Sequence, residues 1–244
     1  MDLAVIPARA GSTRVKRKNI RQFLGSPIIA YPIRAALQSG LFDHVLVSTD
    51  SKEIAEVARE HGAEVPFLRP AELATDTAIT VDVLLHALQA CHESYGDIDR
   101  LCCLYPTSVF VTEAMLQEGR SALDRPDVDG CFTVSEFDAP VQRALCVSGE
   151  GFVEPVWPEN ELVRSQDLEP RYHDAAQMYW LRASALAAER KVFLRRSMPI
   201  VVPRYAVQDI DDEDDWLLAE LKFEALSARS VSPGAANSAP DVGD

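Results

Sequence analysis

The sequence predicts an α/β fold in which a mainly parallel β-sheet carries helices on both faces. Short β-like runs alternate with helical stretches through Val134, an order that is typical of parallel sheets. The first run, LAVIPA, is continuously apolar, as expected for a strand that is buried on both sides. The chain has 244 residues, 47% of them hydrophobic, which is enough to bury a large core without disulfides.

In the first half of the chain, the predicted helices begin near residues that favour helix starts, and glycines favour their ends. The strands between them are short apolar runs. In order, the elements are a strand over 3–8, a helix over 27–40 with Ser26 as cap and Gly40 as stop, a strand over 44–49, a helix over 52–62 with Asp50 or Ser51 as cap and Gly62 as stop, a short strand over 63–68, and an amphipathic helix over 77–96.

The second half continues the alternation and then interrupts it. Its predicted elements are a strand over 99–105, a helix capped by Thr112, a strand over 129–134, strands over 177–181 and 198–203, and a helix from about Glu213. Tyr179 and Trp180 are expected in the core.

The pattern breaks between Ser135 and Tyr179. Gly149 and Gly151 flank a predicted hairpin turn, and the stretch that follows is polar and interrupted by prolines. We expect a single domain over 1–228, with an irregular insertion at 135–179 that covers the site, contacts a second subunit, or does both. Residues 229–244 are rich in Ser, Ala, Pro and Gly and are expected to form a disordered tail.

Charge and cysteine content argue against several classes of protein. The chain has 38 Asp and Glu against 24 Lys and Arg, a net charge of −14, which argues against general nucleic-acid or membrane-surface binding. Its first apolar run is too short for a secretory signal or a membrane span. The five cysteines form no CxxC pair, and Cys102 and Cys103 would point to opposite faces of a strand. We therefore expect a reduced, cytoplasmic protein.

A basic loop follows the first strand, at the edge of the sheet where ligands bind in such folds. Neither GxGxxG nor GxxxxGK[ST] fits, because Arg9 and Lys16 stand where each motif needs glycine. The loop still offers one permissive glycine, backbone amides and cations that together suit a triphosphate. The alternative is a solvated basic loop. Its six cations, with no acid among them, are Arg9, Arg14, Lys16, Arg17, Lys18 and Arg21.

Two carboxylates near the end of the chain form a second candidate site. In an extended stretch, Asp209 and Asp211 point to one face and Ile210 to the other. Such a pair suits Mg²⁺, which accepts a few carboxylates together with substrate phosphates. The alternative is that these acids cap the following helix, and this is what we expect of the acids at 212–215.

Several segments together resemble the motifs of the acylneuraminate cytidylyltransferase family. They are IPARAGSTRVKRKN (6–19), FLRPAELATDTA (67–78), YPTS (105–108) and QDIDDEDDW (208–216). Within that family, RSQDLEPRYHDAAQMYW (164–180) resembles the pseudaminic acid group most. The resemblance covers residues 2 to 226 and implies a Rossmann-like nucleotide-diphospho-sugar transferase fold. It also implies a homodimer and a Mg²⁺-dependent reaction of CTP with a nine-carbon 2-keto sugar acid that yields a CMP-sugar and pyrophosphate.

The resemblance implies a role for each matching residue. The catalytic set is Arg9, Arg14, Lys18, Asp209 and Asp211, the last two also holding Mg²⁺. The nucleotide set is Ala8, Arg9, Ala10, Gly11, Ser12, Lys18, Asn19, Arg69, Ala78 and Thr80, the last three at the cytosine. The sugar set is Tyr105, Arg164, Gln166, Asp167, His173 and Gln177, with Arg164 on the sugar carboxylate. The alternatives are an extended turn at Arg69 and exposed loop or interface positions for the 164–177 residues.

The sequence departs from the family pattern at three positions. Thr13 stands where a lysine is usual, so a low-turnover nucleotide- or sugar-binding homologue remains an alternative. Ala176 replaces a glycine, which matters if that position needs positive φ. Tyr105 replaces the glutamine that is typical of sialate enzymes. A sialic or legionaminic acid synthetase is a second alternative, and the 164–170 segment disfavours an eight-carbon sugar acid.

Overall fold

The structure is a computed structural model that describes residues 1–231. Its helices are α1 (Ala30–Ser39), α2 (Lys52–Glu60), α3 (Thr80–Tyr95), α4 (Glu113–Ala122), α5 (Ala183–Glu189) and α6 (Glu213–Val231). Its strands are β1 (Asp2–Pro7), β2 (Gln22–Phe23), β3 (Ser26–Pro27), β4 (His44–Ser48), β5 (Arg100–Leu104), β6 (Gly130–Glu136), β7 (Leu145–Val147), β8 (Val153–Pro155), β9 (Tyr172–Arg182) and β10 (Ser197–Val201).

Six strands form the central sheet in the order β10-β6-β9-β5-β1-β4. The pairs β1–β4, β1–β5 and β6–β10 are parallel, while β9 runs antiparallel between β5 and β6. Helices cover both faces. The predicted α/β fold with a mostly parallel sheet is confirmed.

The period-two alternation of each strand divides the core between the two faces of the sheet. On β1, Ala4 and Ile6 face the cluster that contains α1, α2 and α4, whereas Leu3 and Val5 face the cluster that contains α3 and α5. All five cysteines are free. Within the 1–231 range, no helix is long and apolar enough to cross a membrane.

Several helix ends follow their local signals. Ser51 caps α2 by accepting a hydrogen bond from the amide of Ile54, and Thr112 caps α4 in the same way through Met115. Gly40 ends α1 with φ 62°, a left-handed conformation that glycine adopts without strain.

The predicted start of the first helix is wrong. Ser26 and Pro27 form β3, which pairs with β2, and α1 begins only at Ala30. The turn between the two strands has positive φ at both Leu24 and Gly25, the geometry of a tight two-residue hairpin. The serine–proline pair therefore belongs to a hairpin and not to a helix cap.

The predicted strand over 63–68 is also wrong. The segment makes only two isolated bridges, at Glu64 and Leu68, with residues of or next to β4. Pro66 lies between them and has no amide hydrogen to donate to a ladder.

The boundary of the irregular insertion needs correction as well. The β7–β8 hairpin is present with its turn at the predicted glycines, but β9 already begins at Tyr172. The polar start of β9 pairs with the end of β6 beyond the core, so its composition resembles a loop. We call residues 137–171 the arm.

The sequence signals also missed α5 and the full length of α6. The predicted tail, 229–244, begins inside α6, which continues to Val231, and residues 232–244 lie outside the described residues.

Candidate active site

A cleft of about 280 Å³ opens where β1 and β5 end, and the segment before α6 closes one side. This is the edge where ligands bind in open α/β sheets. The predicted site residues that line it are Arg9, Ser12, Arg14, Lys18, Asn19, Arg69, Ala78, Thr80, Tyr105, Asp209 and Asp211. The structure thus brings residues of four separate sequence motifs to one surface.

Backbone and side-chain hydrogen bonds hold the basic loop in place. Asn19 is buried and donates from Nδ2 to the carbonyl oxygen of Arg9 at 2.9 Å. The amide of Ala10 donates to Oδ1 of Asp50, also at 2.9 Å. Ala8 is fully buried at the end of the first strand. These hydrogen bonds fix the shape of the loop.

The cations of the loop divide between the cleft and the outer surface. Arg17 pairs with Glu53, and Nη1 of Arg21 donates to both carboxylate oxygens of Glu213, at 2.7 and 2.8 Å. Neither arginine lines the cleft. The cations that do line it from this loop are Arg9, Arg14 and Lys18. Arg9 is itself paired with an acid, Asp76.

The two candidate metal-binding carboxylates face the cleft as their alternation predicts. Asp209 and Asp211 line it, while Ile210 is completely buried between them. Lys18 donates from Nζ to the carbonyl oxygen of Ile210 at 2.6 Å and lies 3.8 Å from Oδ1 of Asp211. Arg14 donates to the same Oδ1 at 2.9 Å.

Burial, and then the like charge of Asp211, raise the pKa of Asp209, and Lys18 partly opposes that rise. A bound dication would relieve this repulsion. Two carboxylates together with substrate phosphates form a donor set that Mg²⁺ accepts. Within residues 1–231, no group of three or more His, Cys, Asp and Glu side chains is arranged to hold a metal. The cleft therefore fits Mg²⁺ only as a partner of a bound phosphate ligand.

Two of the acids that follow, Asp212 and Asp215, have the capping role that the sequence predicts for 212–215, whereas Glu213 pairs with Arg21. The amide of Asp215 donates to Oδ1 of Asp212 at 3.0 Å, and the amide of Asp212 donates to Oδ2 of Asp215 at 3.2 Å. This reciprocal arrangement satisfies amides at the start of α6. Capping thus accounts for Asp212 and Asp215 and leaves the side chains of Asp209 and Asp211 facing the cleft.

The cleft is also lined by a buried guanidinium. Arg69 is 6% exposed, donates from Nε to Oγ of Ser48 at 3.2 Å, and bonds the carbonyl oxygens of Ser48 and Leu73. Burial lowers the pKa of Arg69 to about 10, so it stays charged at neutral pH. Its remaining N–H groups are donors for a ligand in the cleft.

The predicted sugar residues are not brought together in this way. Tyr105 lines the cleft, and His173 lines a second cavity of about 330 Å³ that shares Asp209 with the cleft. Gln177 is 2% exposed and donates from Nε2 to the carbonyl oxygen of Ala206 at 2.7 Å. Gln177 therefore lies in the protein interior and fixes a neighbouring turn.

The arm holds the other three predicted sugar residues away from the cleft. The Arg164 side chain is 71% exposed and forms two hydrogen bonds with Asp167, at 2.7 and 3.1 Å. Gln166 lines a separate cavity between the arm and Arg204. The 164–167 segment therefore does not reach the cleft of its own chain in this structure.

Four further residues in or near the two cavities were not predicted from the sequence. Asp50 lies two residues beyond the end of β4, the strand next to β1, a position from which its role could have been inferred. Asp76 lies within the 67–78 segment, and Asp174 lies within the 164–180 segment. Asp174 lines the second cavity. Lys222 also lines that cavity, but its position on a long helix gave no signal.

Residues 3–209 match the model of a family described as cytidylyltransferase. The chain is 36% identical over 223 residues to a pseudaminic acid cytidylyltransferase of Campylobacter jejuni, covering 91% of this chain and 96% of that protein. It is 35% identical over 229 residues to a CMP-N,N'-diacetyllegionaminic acid synthase of Legionella pneumophila, with the same coverage.

The fold also matches the solved structure of a CMP:2-keto-3-deoxy-manno-octonic acid synthetase complexed with CTP. The TM-score is 0.65 and the identity 16%, covering 94% of this chain and 99% of that one. At this identity the match concerns the fold alone.

Proposed function

The chain belongs to the cytidylyltransferase family of nucleotidyltransferases, and on this premise we propose that it transfers CMP from CTP to a nonulosonic acid. The anomeric hydroxyl oxygen of the sugar acid bonds to the α-phosphorus and loses its proton. The bond from that phosphorus to the bridging oxygen breaks, and pyrophosphate leaves with the negative charge that develops there.

One observation carries this proposal. Three cations of the basic loop and the two carboxylates before α6 line the same cleft as Arg69. The loop is suited to the triphosphate, because Arg9, Arg14 and Lys18 neutralise an anion that the acidic protein as a whole would repel. The donors of Arg69 are suited to the acceptor atoms of cytosine.

We assign Asp209 and Asp211 as the residues that would hold Mg²⁺ beside the phosphates. When bound, the ion supplies charge neutralisation at the phosphate oxygens. Lys18 fixes the backbone between the two aspartates through its bond to Ile210. Thr13 lines the cleft in place of the family's lysine, and Arg14 and Lys18 on the same loop supply positive charge there.

For the acceptor we favour pseudaminic acid. The relatives that are named for pseudaminic and legionaminic acid are 36% and 35% identical to this chain, so overall identity does not separate the two sugars. The local likeness of the 164–180 segment carries the choice. Polar groups there would discriminate sugars, because an analogue that lacks a matching hydroxyl or amide leaves them unpaired.

Arg164 remains our proposed partner of the sugar carboxylate. Because it lies outside the cleft of its own chain, this role requires either that the arm bends or that Arg164 serves a second subunit. We propose a homodimer through the arm, which exposes several large apolar side chains. They are Leu145, Val147, Phe152, Val153, Trp157 and Leu162, each more than 40% exposed.

The test is pyrophosphate release from CTP with a panel of pseudaminic, legionaminic, N-acetylneuraminic and eight-carbon sugar acids. We expect kcat/KM for pseudaminic acid to exceed that for N-acetylneuraminic acid at least about a hundredfold, or about 2.7 kcal/mol. Equal rates would reject the sugar assignment alone. No release with any sugar acid, from a folded protein with Mg²⁺, would reject the reaction.

A further inference from the structure

The segment that carries the acid pair has no regular secondary structure of its own. Residues 207–212 lie between a short 3₁₀ turn at Arg204–Ala206 and the start of α6. The backbone groups of a helix or a strand find their partners within the element or the sheet, whereas those of an irregular segment must find them elsewhere. The partners of this segment therefore determine what fixes the two carboxylates in place.

Side chains hold the backbone of both aspartates. Nε2 of Gln208 donates to the carbonyl oxygen of Asp209 at 3.1 Å and to Oδ1 of Asp215 at 2.9 Å. The other carboxylate oxygen of Asp215 accepts the amide of Asp211 at 3.0 Å. One pair of side chains thus connects the backbone of Asp209 to that of Asp211.

Lys222 anchors this pair of side chains to α6. Its Nζ donates to Oε1 of Gln208 at 2.9 Å and to the carbonyl oxygen of Val207 at 2.6 Å. An ammonium group only donates, and the oxygen of a side-chain amide only accepts. The bond from Lys222 therefore turns the NH₂ group of Gln208 towards its two acceptors, the carbonyl of Asp209 and the carboxylate of Asp215.

We propose that Lys222 is a positioning residue that holds the Asp209 and Asp211 carboxylates in the fixed geometry that Mg²⁺ requires beside a bound triphosphate. Lys222 acts through Gln208 and the Val207 carbonyl, since it lines the second cavity and not the cleft. The inference rests on the proposed use of the two aspartates for Mg²⁺. It adds a residue that lies outside the segments with family resemblance.

The coordination chemistry of two cations separates this role from a general contribution to the fold. Mg²⁺ demands a near-ideal octahedral arrangement of oxygen ligands, whereas Ca²⁺ accepts a flexible one. A segment that is no longer anchored to α6 would still offer both carboxylates, but at positions that vary. Loss of the Lys222 ammonium should therefore weaken the binding of Mg²⁺ more than that of Ca²⁺.

The decisive variant is Lys222→Met, which keeps an unbranched apolar side chain and removes the donor. The matched control is Lys52→Met, which removes the same charge from an exposed position at the start of α2. Gln208→Met is the second test should Lys222→Met fail to fold. It breaks the link between Lys222 and the aspartates while the bond from Lys222 to Val207 remains possible.

The measurement is the dissociation constant of CTP by calorimetry, without sugar acid, in EDTA, in excess Mg²⁺ and in excess Ca²⁺. The ratio of the constant in EDTA to that with each ion gives the gain in CTP affinity that the ion supplies. We expect the Mg²⁺ gain to fall at least about tenfold in Lys222→Met, a loss typical of groups that orient metal ligands. The Ca²⁺ gain should fall less, and CTP binding in EDTA should stay unchanged. Gln208→Met should lower the Mg²⁺ gain as well, and Lys52→Met should leave both gains intact.

Three results would overturn the inference alone. They are an unchanged Mg²⁺ gain in the folded variant, equal losses of the Mg²⁺ and Ca²⁺ gains, and a parallel loss of CTP affinity in EDTA. The last two would show that Lys222 supports the fold and not the metal geometry.

Other results separate this inference from the proposed function. The absence of any Mg²⁺ gain in the unaltered protein would overturn both the inference and the proposed metal role of the two aspartates. If the gains behave as expected but no sugar acid gives pyrophosphate, the proposed reaction fails while the role of Lys222 stands.

Discussion

Replacing Ala176 by glycine should stabilise this protein. Ala176 has φ 52°, in the left-handed region, although it lies inside the long strand β9. The pairing of β9 with β6 shifts register in this part of the strand, between Phe132 and Val134 of β6. The family pattern has glycine at this position, and the chain keeps the left-handed geometry with alanine there. Asp174 supports the bend by accepting the Ala176 amide.

The magnitude follows from two opposing terms. A left-handed conformation costs an L-residue with a Cβ about 1–2 kcal/mol, a cost that glycine does not carry. Glycine loses about 0.5–1 kcal/mol in return, because its unfolded chain has more conformational freedom. The balance favours Ala176→Gly by about 0.5–1 kcal/mol, which for a chain of this size corresponds to a rise in Tm of about 1–4 °C.

The assay is thermal and urea unfolding of the ligand-free protein, beside Ala175→Gly as control. Ala175 is 1% exposed in the core and is not among the residues with positive φ. Its replacement removes a buried methyl group and adds chain entropy, so it should destabilise by about 1–2 kcal/mol. If both variants lose stability alike, the left-handed geometry is not a source of strain and the reasoning fails.

Other perturbations test the site and the assembly. Lys18→Ala should lower kcat/KM for CTP at least about tenfold, or about 1.4 kcal/mol. Lys16→Ala, which lies on the same loop but outside the cleft, should not. An unchanged kcat/KM in a folded Lys18→Ala variant would remove the loop from the site. Asp209→Asn should abolish Mg²⁺-dependent turnover. It should also raise Tm at neutral pH: folding raises the pKa of Asp209, so the folded protein loses stability as the pH rises through that pKa and the carboxyl ionises, and the neutral amide removes this loss. That gain in Tm should vanish below about pH 3.9, where the Asp209 carboxyl is protonated in both the folded and the unfolded protein. Full activity of Asp209→Asn would instead favour a capping role for Asp209. Arg164→Ala should lower turnover with the sugar acid far more than it weakens the binding of CTP alone. Loss of CTP binding in this variant would show that Arg164 does not serve the sugar carboxylate as proposed. Light scattering should give about twice the monomer mass, and Trp157→Ser should weaken the dimer. A mass of 26.9 kDa for the unaltered protein at micromolar concentration, that of the monomer, would refute the proposed dimer.

Much of the fold was predictable because its signals are local. The buried residues of β1, β4, β5 and β6 follow one another in the sequence as apolar runs. The caps at Ser51 and Thr112 bond backbone amides only three residues away. The alternation at 209–211 likewise placed two aspartates on one face with Ile210 in the core. Each of these features depends on neighbours in the chain, which a sequence displays directly.

Signals that depend on a partner element were misjudged. Ser26 and Pro27 are good helix starters, yet a hairpin with β2 uses them. The polar start of β9 resembles a loop until its pairing with β6 is known. In both cases tertiary pairing overrides a local preference that is weaker than a kilocalorie or two per mole.

The sequence by itself determined most of the alternation of strands and helices through β6, the position of a basic loop after β1 and the presence of an acid pair before α6. Only the tertiary structure decided which cations of that loop face the cleft, since Arg17 pairs elsewhere while Arg14 meets Asp211, 197 positions along the chain. It also decided that Asp174 lies behind Tyr179 and that Arg164 lies outside its own cleft. The physical reason is that periodicity and caps record the environment of each residue along its own element, whereas charge pairs and hydrogen-bonded chains form between elements whose proximity is set by packing of the whole core.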